Sequence, residues 1–149
     1  MKDLISNVKT VLHFAKTLSA TETPASGVDL AGFDSALIQC SIGTVTNIAN
    51  SPQPSWTFKL QESDDNAAFT DVAEADCLLD AGSNDGAVAS GVFATIDAAA
   101  EDDAVYTIGY RGTKRYARVV ATAANTPGAT PVAVTFALGH PDLAPAADA

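Results

Sequence analysis

The chain is 149 residues long, with 47% hydrophobic and 17% charged side chains and a formal net charge of −10. That size and apolar share suit a single domain with its own core and exclude a chain disordered throughout. The acidity argues against a nucleic-acid binder, which needs a basic surface to displace counterions from phosphates, and no run approaches the roughly 20 apolar residues of a membrane helix.

Residues 1–9 lack a clear period and read as a short helix or an N-terminal arm, interrupted by charge so that no export signal is expected. Thr10–Leu18 is β-compatible in composition, and a turn cluster with Pro24 and Gly27 follows. Ala36–Ile42 is the first firm strand, with Ala36, Ile38, Cys40 and Ile42 sharing one face. Ser55–Gln61 alternates most cleanly, with Trp56, Phe58 and Leu60 inward and Thr57, Lys59 and Gln61 outward. Glu62–Asp71 is acidic and turn-rich, and Phe69 with Val72 is expected to tether it to the core. Asp76–Asp80 is ambiguous, Ala81–Gly91 reads as a long exposed loop, and Val92–Ile96 reads as a strand. Ala98–Asp103 tolerates helix but is too short to stand as one in water.

Tyr106–Val120 carries the densest signal. Tyr106, Ile108 and Tyr110 alternate along one strand, and Tyr116, Arg118 and Val120 along the next. The spacing predicts a hairpin whose turn, Arg111–Arg115, uses Gly112 for a positive φ. Arg111, Lys114, Arg115 and Arg118 are four of only eight basic residues, so the turn reads either as a surface made to meet an acidic partner or as a solvated hairpin end. Val132–Leu138 then places Val132, Val134, Phe136 and Leu138 on one face, and residues 139–149 form a Pro- and Ala-rich extended tail. Seven or eight short strands between Gly, Pro and Asn turns predict an all-β antiparallel sandwich. Residues 1–149 form one domain, with short extended arms at 1–9 and 139–149. Much of the apolar share is alanine, a modest core of the kind that a partner subunit often completes.

Chemistry-bearing patterns are thin. His13 and His140 lack a triad context, and Asp80–Gly86 departs from a calcium loop where ligands are required. Cys40 reads as a small buried hydrophobe, and pairing with Cys77 stays open. Trp56, Tyr106, Tyr110 and Tyr116 are read as core, with an aromatic platform for sugar as the alternative. No catalytic residue, metal or cofactor is expected.

Four blocks occur in order: Trp56–Asp65, Phe69–Val72, Tyr106–Arg118 with its Tyr-x-x-Gly-Tyr-x-Gly-x-Lys-Arg-Tyr-x-Arg pattern, and Gly139-His-Pro. This succession, spanning about residues 28–141, resembles small structural proteins encoded in the head-gene modules of tailed bacteriophages. It looks most like the capsid decoration, or cement, proteins, which have jelly-roll-like β folds. The resemblance implies a non-enzymatic virion protein, made in the host cytoplasm and bound to the outer capsid surface as a homodimer or homotrimer. There it would tie capsomers of the major capsid protein together, with no nucleic acid or membrane as partner. It implies contacts through Arg111, Lys114 and Arg115 of the turn, through Lys2, Leu4 and Ile5 of the arm, and through His140 and Leu143 of the tail. A carbohydrate-binding module and a low-copy head-completion or tail protein are the alternatives.

Overall fold

The computed structural model describes residues 4–79 and 90–143. Ten strands follow a short 3-10 turn at Ile5–Asn7: β1 (Val8–Leu18), β2 (Val28–Asp29), β3 (Phe33–Ile42), β4 (Ser55–Ser63), β5 (Thr70–Asp71), β6 (Cys77–Leu79), β7 (Val92–Ile96), β8 (Ala104–Tyr110), β9 (Tyr116–Ala124) and β10 (Thr130–Pro141). They form two antiparallel sheets. The first runs β1-β10-β3-β8-β6; the second runs β2-β9-β4, with β7 and β5 sharing the far side of β4. β1 pairs with β10, β2 with β9, β3 with β8 and β4 with β7. Such nested pairing is a single antiparallel ribbon rolled up on itself, and the resulting β-sandwich has jelly-roll topology.

The inward faces are the ones the alternation predicts, except in β9, where Ala117, Val119 and Ala121 point inward and Tyr116, read as core, lies on the outer face with Arg118. Trp56, Phe58 and Leu60 from β4 are fully buried, together with Ile38, Ile108, Phe136 and Phe93. The Trp56 Nε1–H donates to Thr130 Oγ1 at 3.0 Å, which satisfies the one polar atom of that ring inside the core. Val72 is fully buried, so the acidic 62–71 segment is indeed pinned at its end. Cys40 is buried and Cys77 half-buried, and both are free thiols.

Three expectations need correction. Tyr106–Val120 is not a hairpin: β8 lies in the first sheet and β9 in the second, so the 111–115 turn crosses between sheets. Alternation is identical for a strand in either sheet, and only pairing distinguishes the two. Gly112 does not take a positive φ. A Cβ there would collide with the Tyr110 ring, so glycine is required by close approach. The tail does not begin at 139, because β10 runs to Pro141 and pairs Pro141 with Phe33. The 81–89 part of the expected loop, and the Asp80–Gly86 segment, lie outside the described residues.

The exposed side of β9 beyond β2 has backbone donors left over, and side chains and loop take them up in turn. Glu22 exchanges two backbone bonds with Ala121, and the Ala123 N–H donates to Thr21 Oγ1. Between these and β2, the Val119 N–H donates to His13 Nε2 at 3.3 Å. His13 sits at a register shift between Leu12 and Phe14, which turns its ring in against Phe14 and Phe136. Burial is the main reason its pKa falls to about 4.

Candidate functional site

One end of the sandwich collects the side chains that the sequence singles out. Register places Val8 opposite Gly139, Gly139 opposite Ser35, and Ala36 opposite Tyr110. The start of β1, the end of β10 and the turn after β8 therefore share one end. Ile5 and Leu143 stand 85% and 84% exposed there, and Leu4 is also exposed. Lys2 lies outside the described residues. His140 takes a φ of 52°, and its Nδ1 is hydrogen-bonded to Ser35 Oγ at 2.8 Å. Among the described residues no carboxylate hydrogen-bonds its other ring nitrogen, so the pair lacks the orienting group of a triad. An open cleft of about 340 Å³ lies at the same end, lined by Phe33, Ser35, Tyr110, Lys114, Arg115 and Asp142 among others.

Two of the turn's three cations, Lys114 and Arg115, are already matched by the chain itself. Arg115 holds Asp29 through two bonds of 3.0 and 2.7 Å, which lowers the Asp29 pKa and raises that of Arg115. Lys114 pairs with Asp64, whose hydrogen bond raises the lysine pKa. The Arg111 Nε–H donates to the Ala75 carbonyl at 2.8 Å, and Arg111 makes no ion pair among the described residues. The Tyr110 hydroxyl donates to Glu62 at 2.6 Å and accepts from the Lys114 N–H at 3.1 Å. Burial and the nearby carboxylate push its pKa up. What the turn presents is a rigid set of alternating charges rather than a free basic patch.

The outward face of the first sheet was not legible as a unit in the sequence. Its rows, read across strands, are Thr10, Ala137, Leu37, Gly109 and Leu78; then Leu12, Thr135, Gln39 and Thr107; then Ala15, Ala133, Ser41 and Val105. None of these residues is charged, in a chain of net charge −10. Among the described residues, all seven exposed large hydrophobics lie either on this face (Leu12, Leu37, Leu78, Val105) or at the end just described (Leu4, Ile5, Leu143).

The aromatic platform is not formed: Trp56, Tyr106 and Tyr110 are buried. Among the described residues, no group of three or more His, Cys, Asp or Glu side chains is placed to hold a metal ion, and no helix is long and apolar enough to cross a membrane. Comparison with models of known protein families and with curated protein sequences gives no match.

Proposed function

We propose that this chain is a non-enzymatic viral structural protein, a decoration or cement protein that binds the outer surface of a tailed-phage head and stabilises contacts between capsomers. The observation that carries the reading is the gathering of residues 4–5, residues 140–143 and the 111–115 turn at one end of a jelly roll. Leu4, Ile5 and Leu143 are exposed there, beside a cleft and a set of ordered charges. Apolar anchors flanked by fixed charges suit docking to a large surface: the anchors supply affinity and the charges set register. The Asp29–Arg115 and Asp64–Lys114 pairs offer both signs, so the acidic partner surface expected from the turn alone gives way to a mixed one. Binding to an assembled shell, and not to its free subunits, stabilises the shell by mass action, and this requires no active site.

The test is the copy number and position of the chain in purified virions, by quantitative mass spectrometry and electron cryomicroscopy. Hundreds of copies over the shell, with the 4–5, 111–115 and 140–143 end against the major capsid protein, are expected. A dozen or fewer at one vertex would move the assignment to head completion or tail. Absence from particles would overturn it.

A further inference from the structure

We infer that the uncharged outward face of the first sheet is a self-association surface, on which two copies of this chain pack face to face about a two-fold axis. The inference deepens the oligomeric part of the reading above, but it stands on the isolated protein and needs no shell.

Charge selects the occupant. Two bodies of net charge −10 repel, and they meet at least cost where neither brings a charge. The rows through Leu37, Gln39 and Ser41 offer such a surface, with only apolar, hydroxyl and amide groups. The second sheet's outside, by contrast, carries Lys59, Arg118 and Asp71.

Size also fits. At about 3.3 Å per residue and 4.8 Å between strands, the 12 residues of β10, 11 of β1, 10 of β3 and the shorter β8 and β6 cover roughly 700 Å². A standard interface buries about 800 Å² per partner. Gly109 lies directly between Leu37 and Leu78, and the Leu78 side chain leans over it, so the row is one continuous apolar strip. A two-fold axis sets this strip against its own copy, apolar on apolar. Edge-to-edge pairing is the competing route, and β1 blocks it with its register shift and with Lys9 and Lys16 along its length.

Sedimentation of the full chain at 1–200 µM is the test. A concentration-dependent dimer is expected, and raising salt from 0.05 to 0.5 M should tighten it several-fold, because screening removes the mutual repulsion. An interface built on ion pairs would weaken instead. Leu37→Glu should shift the midpoint at least tenfold toward monomer. Gln39→Glu, an isosteric change at an exposed site, should shift it in the same direction without risk to the fold. Thr122→Glu on the second sheet should leave it unchanged. A monomer at all concentrations, a trimer, a dimer indifferent to both first-sheet variants, or one loosened by salt would each overturn the inference. None of these outcomes bears on whether the other end of the molecule docks to a shell.

Discussion

The two sheets share one core yet end differently toward solvent. Outside the second sheet the chain has built its own cover. Arg118 donates to Gln61 at 2.8 and 3.0 Å, Gln61 donates to Asp71 at 2.9 Å, and Lys59 reaches the same carboxylate at 2.9 Å. The Arg118 guanidinium also lies 4.0 Å from the Phe69 ring centroid and donates to the Pro24 carbonyl, while Gly27 N–H binds Asn66. Val120, outward by register, is consequently buried. The first sheet has no such roof among the described residues, and its Leu37 stands 47% exposed. Among the described residues one sheet is covered and the other is bare and uncharged, which makes one finished face and one available to a partner.

Four expectations break or sharpen this contrast. Acid should strike hardest at the open edge of β9, where His13 of β1 reaches it. The His13 pKa is lowered from 6.5 to about 4, so the unfolded chain takes up the proton first. The stability that neutral His13 contributes is complete above pH 6.5, declines as pH falls, and is gone below about 4. The loss is about 3 kcal/mol at about 1.4 kcal/mol per pKa unit. Urea unfolding between pH 7 and 4 should therefore be steeper for wild type than for His13→Gln, which keeps an acceptor for Val119 but does not titrate. Parallel slopes would remove His13 from the account.

Next in size, Arg118→Ala deletes the hydrogen bonds and ring contact of the roof and should cost about 2 kcal/mol in the same measurement. Smaller again is the Arg115–Asp29 pair, which is exposed on both sides. A double-mutant cycle should give a coupling well below the effect of Arg118→Ala, because solvent screens a pair this exposed, so the pair orders the turn more than it stabilises the fold. Least of all, Ser41→Ala on the bare face should stay within about 0.5 kcal/mol. If Ser41→Ala costs as much as Arg118→Ala, the first sheet has a cover too and the contrast fails.

The site residues show how differently the sequence speaks about neighbourhood and about chemistry. Leu4, Ile5, His140, Leu143 and the basic turn are flagged singly, by position or charge, and the roll of the ribbon brings them to one end. The turn's concentration of cations is visible along the chain, but Asp29 and Asp64 are 86 and 50 residues from Arg115 and Lys114. Ion pairing over that separation leaves no local signal. The bare face is spread from Val8 to Gly139 over five strands, and no segment of it is unusual alone. From the sequence His13 reads as a packed or a surface imidazole, and the bond it makes to β9 depends on a register shift that no local pattern announces.

By itself, then, the sequence determined the class of the fold, the inner face of nearly every long strand, and the lack of a recognisable triad or metal motif. Period-two alternation follows from backbone geometry and is local, so it survives in one dimension. Only the tertiary structure decided that β8 and β9 belong to different sheets, that Lys114 and Arg115 of the turn between them are paired within the chain, and that one outward face carries no charge among the described residues. Those are properties of pairing and register, and hydrogen bonds between strands distant in the chain are the same in kind whichever partner is chosen. What selects the partner is the joint burial of both inner faces in one core, and that energy exists only once the ribbon has rolled up.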